Sequence, residues 1–249
     1  MSTQAIPPLV AITTILTNNE ISASELAQVA GALQKQVTRD FAPPWNLPAT
    51  IASQPDPKQI PNGYWPITVT GDLKEPGALG YHSDEHNQPF SLVQYDKDWT
   101  ITCSHELLEM LGDPFGSRMI VGDSPVEGQG RVQYLLEMCD PCEAFVYEVD
   151  GVRVSDFLFP AYHDPISRAE TPYSFTGNLH AAREVAFGGY LSWFVPSINE
   201  WWQRTFFEGD HAADKQLGRA DEMRKAGETP REMIDRLTSR TIAQLGYTG

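Results

Sequence analysis

The chain reads as an α+β protein: a mixed sheet drawn mainly from the N-terminal half, a covering helix, a second helix beneath the sheet and a mostly helical C-terminal portion. Three observations predict it. A β-branched apolar run near the N-terminus is followed by a helical repeat of apolar residues. Short strand-like segments then alternate with Pro, Asn and Gly. A second helical repeat, Trp99 to Pro114, ends in the stop signal Gly112-Asp113-Pro114. With 249 residues the chain is long enough for one large domain and a helical appendage, with the expected division at 1–163 and 164–249.

Each element has its own signal. Leu9 to Leu16 is nearly continuous in apolar and β-branched side chains, as a buried strand requires. Ser22 with Glu25 forms a capping box, and Leu26, Val29, Ala30, Leu33 and Val37 repeat at helical spacing until Pro43-Pro44. Strands are expected at Ala49–Ala52, Trp65–Val69, Ala78–His82 and Phe90–Tyr95. The Gly-rich stretch from Gly112 to Gly130 reads as a surface loop. Phe145 to Val149, Asp150-Gly151 and Val152 to Phe159 read as a hairpin. Beyond Tyr162 comes an aromatic-dense segment, Tyr190, Trp193, Phe194, Trp201, Trp202, Phe206 and Phe207, which reads as core or as an oligomer contact, and then a charged helical tail.

Composition narrows the function. Thirty-three acidic against eighteen basic residues give a net charge of -15, which opposes binding to nucleic acid or to anionic membranes. No basic residue precedes the early apolar run, so no signal peptide is expected, and no run is long enough to span a bilayer. Three cysteines are too few for a disulfide framework, which suits a reducing compartment; the cytoplasm is the default expectation, with non-classical export left open.

The chemistry concentrates in Ser104-His105-Glu106-Leu107-Leu108-Glu109. His105 and Glu109 are about one helical turn apart and share a face, with Glu106 beside them. A hydrolytic zinc site needs about three protein ligands, an open position and a carboxylate to take a proton from water. His105 and Glu109 supply two ligands and Glu106 the base. The third ligand is sought in Glu137-Met138-Cys139-Asp140-Pro141-Cys142, with Asp140 preferred and Glu137 its competitor, because a cation would offset the cost of burying either acid. One imidazole and two carboxylates nominally cancel a divalent charge, so water is less acidified than in a His-rich site. The oxygen donors also bring Mn²⁺, Fe²⁺ or Ca²⁺ into competition with Zn²⁺, the first choice.

At these residues the chain resembles the zincin metalloproteases, whose helix reads His-Glu-x-x-His; here Glu109 stands where the second His would be. It is more closely similar to a bacterial and phage group of metallopeptidase-like sequences with Ser-His-Glu-x-x-Glu, Asp-Pro and Glu-x-x-Asp-x-Cys, matched by Ser104 to Glu109, Asp113-Pro114 and Glu137 to Cys142. The likeness spans Gly80 to Phe159. It implies a zincin-like fold and peptide hydrolysis in which Glu106 activates a metal-bound water. It gives Asp140 the part of the downstream ligand found in aspartate-using zincins. It also implies an edge strand, Ala78 to Tyr81, that pairs with extended substrate, with His82 orienting substrate or stabilising the oxyanion.

Other readings stand beside this one. His82, Asp84 and His86 also suit a solvated turn before Pro89. Tyr147, Tyr162 and His163 are candidate donors to a tetrahedral intermediate. Cys139 and Cys142 form a single Cys-x-x-Cys, better suited to packing than to a zinc knuckle or redox pair. The rival function is a zincin-like scaffold with a structural cation, serving as a binding or assembly component of a phage or secretion particle. A third reading is an unrelated fold whose helix binds no ion.

Overall fold

The computed structural model describes residues 6–18, 20–74, 77–163 and 171–245. They are α+β, with several sheets, and form two compact units. One comprises the chain up to Lys74 with Ala78–Pro114 and Tyr147–Val154; the other comprises Phe115–Val146 and the chain from Ser155 onward. No helix among the described residues is long and apolar enough to cross a membrane.

The first unit is built on a five-stranded sheet in the order β2-β1-β3-β5-β4. β1 (Leu9–Thr14) is the predicted buried strand, and α1 (Ala23–Lys35) follows it. Ser22 caps α1 as its sequence suggests, its hydroxyl accepting from Glu25 N at 3.1 Å. The helix widens into a π-turn, Gln36–Phe41, and ends in α2 (Ala42–Trp45). β2 (Thr50–Ser53) and β3 (Tyr64–Thr70) flank β1 in parallel, and β5 (Gln88–Gln94) is parallel to β3. Parallel neighbours are covered strands, which is why Val10, Ile12, Ile67, Val69 and Val93 are all fully buried. β4 (Gly80–Glu85) turns back against β5 as the edge strand. The turn between them is His86-Asn87, both at positive φ (55° and 62°), as a two-residue type I′ hairpin requires. His86 is therefore a turn residue. α3 (Trp99–Gly112) then packs on β3, β4 and β5.

The second unit carries its own five-stranded sheet, antiparallel throughout, in the order β12-β11-β10-β7-β6. β6 (Met119–Asp123) lies inside the Gly-rich stretch expected to be a loop; it pairs with β7 (Arg131–Leu135), and Tyr134 Oη donates to Asp123 O at 2.6 Å. Next in the chain comes the predicted hairpin, β8 (Val146–Val149) and β9 (Val152–Ser155), with Asp150 and Gly151 at positive φ in its turn; its Tyr147–Val154 belong to the first unit. β10 (Tyr190–Val195), β11 (Glu200–Thr205) and β12 (Ala213–Arg219) come next, then the short α4 (Ala220–Met223) and α5 (Pro230–Leu245).

The C-terminal portion is thus three strands as well as helix. In β10 to β12 the aromatic residues form cross-strand pairs: Trp193 lies opposite Trp202, their ring centroids 6.5 Å apart, and Phe194 opposite Trp201. Trp193, Tyr190 and Trp201 are core residues of their own unit. β7 pairs with β10 across residue 163, so the second unit runs through the boundary expected there.

Candidate metal centre

α3 is buried on nearly every side. Cys103, Leu107, Leu108, Met110 and Leu111 give it the apolar surface that packs on the sheet, and Ser104, Glu106 and Glu109 are carried into the interior with them. Ser104 Oγ donates to Gln36 Oε1 at 2.8 Å, tying α3 to the π-turn after α1. The strand facing the helix supplies one more side chain. Alternation along β4 puts Gly80 and His82 on one face and Tyr81 on the other. A Cβ at Gly80 would lie 2.7 Å from Thr102 Cγ2 and 2.9 Å from Glu106 Oε1, so the close approach of α3 to β4 depends on a glycine there.

His82 is almost wholly buried and both its ring nitrogens are occupied. Its Nε2 lies 3.0 Å from the Asp113 carbonyl oxygen, which only accepts, so Nε2 carries the hydrogen and donates. In a neutral imidazole Nδ1 then presents a lone pair, and it faces Glu106 Oε2 at 3.4 Å. A lone pair and a carboxylate oxygen repel unless a proton or a metal ion lies between them. Glu109 joins the group: ligand atoms of His82, Glu106 and Glu109 all lie within 4.8 Å of one another. Burial, followed by the negative charge of Glu106, raises the pKa of the Cys103 thiol, which keeps it protonated beside the cluster.

His105 holds the position expected on α3, with Nε2 3.5 Å from Glu109 Oε1 and a side chain 14% exposed where that of Glu109 is 0%. Tyr81 lies in the edge strand with its ring edge-on to Phe90. Tyr147 donates from its hydroxyl to Asp40 Oδ2 at 3.1 Å.

The remaining expected residues belong to the second unit. Asp140 opens a 3₁₀ turn, Asp140–Cys142, and its Oδ2 is 3.5 Å from a terminal nitrogen of Arg231, both side chains buried. Arg231 also stands 3.3 Å from Asp235. It sits in the first turn of α5, where Thr229 and Glu232 form a capping box with backbone bonds of 3.2 and 2.8 Å. A guanidinium therefore stands beside the buried Asp140 carboxylate within its own unit. Glu137 is fully buried nearby in sequence, and the charges of Asp140 and Glu137 add to burial in raising the pKa of Tyr190. Tyr162 is buried, with its hydroxyl donated to Glu184 O at 2.8 Å. His163 is buried against the Tyr134 and Tyr162 rings, and burial, then the Arg183 charge, lowers its pKa to about 3. Cys103, Cys139 and Cys142 are buried and make no disulfide.

The structure thus groups Glu106 and Glu109 with His82, a residue assigned from sequence to substrate contact. The signal for its inward face is the Gly-x-His alternation at Gly80 and His82, which the polar setting Ser83-Asp84-Glu85-His86 obscures. No family model matches the chain, nor does any curated protein or solved structure.

Proposed function

We propose that the protein is a metal-dependent hydrolase of peptide bonds, with a divalent cation, zinc first, bound at α3. The observation that carries this reading is the convergence of an imidazole and two carboxylates, all buried and all from one unit. Burying two acids together is costly, and a divalent ion offsets both charges at once. When bound, such an ion polarises a carbonyl and acidifies water. Glu109 helps to hold it, and one of two other side chains of α3, His105 or Glu106, takes the proton and returns it to the leaving amine. β4 is the outer strand of its sheet, the position at which an extended peptide adds as a further strand.

The test is elemental analysis and peptide-library cleavage on protein purified without added metal or a histidine tag. Near-stoichiometric metal, cleavage abolished by a chelator, and loss of both in Glu109→Gln are the expected results. Cleavage that survives complete removal of metal would sink the reading.

A second reading has its own support. Glu106 is 4% and Glu109 0% exposed, as in a coordination sphere closed by protein. The cation would then be structural and the protein a binding or assembly component. That version predicts bound metal and no turnover on any peptide.

A further inference from the structure

We infer that the ion is held by His82 Nδ1, Glu106 and Glu109, with Glu106 a ligand and His105 outside the set. The inference rests on the proposed function for the presence of an ion, and names the residues that bind it.

Three observations meet at this point. The first is distance. A charge-assisted hydrogen bond between an imidazole and a carboxylate closes to about 2.7–2.9 Å, whereas His82 Nδ1 and Glu106 Oε2 stand 3.4 Å apart. Two donors each about 2.0–2.1 Å from one tetrahedral ion are separated by about 3.3 Å. The second is the far side of the ring. A ligating histidine characteristically donates its other N–H to a carbonyl or carboxylate, which fixes the tautomer and aims the lone pair. His82 does this through Nε2 to Asp113 O at 3.0 Å. The third is close approach: without a Cβ at Gly80, which would lie 2.9 Å from Glu106 Oε1, α3 comes near enough to β4 for the Glu106 carboxylate to meet the His82 ring.

His105 fits less well. Its Nε2 is 3.5 Å from Glu109 Oε1, a spacing compatible with a shared ion, but its side chain is 14% exposed where those of His82 and Glu109 are 0%, so water solvates it. The chemical class of the ion follows from the donors. One nitrogen and two carboxylates suit Zn²⁺ or another small transition-metal ion, and fall well short of the six to eight oxygens, roughly, that Ca²⁺ takes. With Glu106 bound to the ion, it does not serve as the general base.

Zn²⁺ titration of the metal-stripped full chain, followed by ¹⁵N NMR of the imidazole rings and by calorimetry, tests the assignment. The expected result is a hydrogen on His82 Nε2 throughout, a large shift of His82 Nδ1 on adding one equivalent of Zn²⁺, and little change at His105. Glu106→Gln and His82→Gln should each weaken Zn²⁺ binding by more than about tenfold, and His105→Ala by less than about threefold. The ring spectrum of the unsubstituted chain stands even where a variant folds poorly. A shift confined to His105, or full Zn²⁺ affinity in Glu106→Gln, overturns the assignment while leaving the hydrolase reading intact. Zn²⁺ bound at His82 with no peptide cleavage overturns the hydrolase reading and leaves the site intact. No Zn²⁺ bound by the folded chain overturns both.

Discussion

The two units bury their carboxylates by different means. In the second unit Asp140 lies against the Arg231 guanidinium, and Asp156 accepts from Phe157 N at 2.9 Å, Thr176 N at 2.9 Å and Thr176 Oγ1 at 2.6 Å. Even with these donors, burial raises the pKa of Asp156 above its ordinary value. In the first unit Glu106 faces Nδ1 of His82, a ring whose other nitrogen already donates to a carbonyl, so a neutral imidazole would offer it only a lone pair. A permanent cation or several N–H donors make a buried acid self-sufficient. A lone pair does not, and on that difference rests the proposal that an ion completes the α3 cluster.

The comparison is broken most forcefully at Arg231. Arg231→Met removes the buried partner of Asp140 and should cost about 3–5 kcal/mol in a chemical denaturation experiment. A loss below about 1 kcal/mol would mean that Asp140 does not depend on the guanidinium. Next comes Asp156→Ala, which strands the buried Phe157 N–H and the half-buried Thr176 N–H and should cost about 2–3 kcal/mol by the same measurement.

A pH series sharpens the contrast further. His163 titrates at about 3 when folded against 6.5 ordinarily, because burial and Arg183 oppose its charge. The unfolded chain therefore binds a proton on this ring below about pH 6.5 that the folded chain refuses until about pH 3. The stability it contributes is present above pH 6.5 and is lost as the pH falls toward 3, at up to about 1.4 kcal/mol per unit. Urea midpoints across that range should slope less in His163→Phe, and an unchanged slope would remove His163 as the cause. The smallest effect is expected at Ser104→Ala, about 1 kcal/mol from the lost bond to Gln36, with α3 otherwise in place.

Much of the first unit is legible because local signals agree there. Ser22 caps α1 as its spacing to Glu25 suggests, and the apolar repeat with its Gly-Asp-Pro stop marks α3 to within two residues. The Asp150-Gly151 turn is equally plain. The second unit hides its strands. β12, Ala-Asp-Lys-Gln-Leu-Gly-Arg, is an edge strand with most side chains in or near solvent, so it owes its place to backbone pairing with β11 and carries no alternation to read. β10 and β11 are so rich in tryptophan and phenylalanine that period two is lost among large side chains on both faces. Asp140 and Arg231 are ninety-one residues apart in the chain, and nothing local announces that they will pair. His82 is the instructive case at the candidate site, since the residues around it are those of an exposed turn while its own position in β4 faces a helix.

The route of the chain between the units has a consequence for how the protein is made. During synthesis the first unit's sheet is available once β5 has emerged, yet that unit also contains Tyr147–Val154, whose Asp150 and Arg153 reach Lys35 and Asp98 by ion pairs. It is therefore completed only after the stretch Phe115–Val146, destined for the other unit, has left the ribosome. A nascent chain stopped before Tyr147 holds the whole of α3 but not the hairpin that closes its unit. Neither unit corresponds to one uninterrupted piece of the gene, so simple truncation cannot deliver either of them whole.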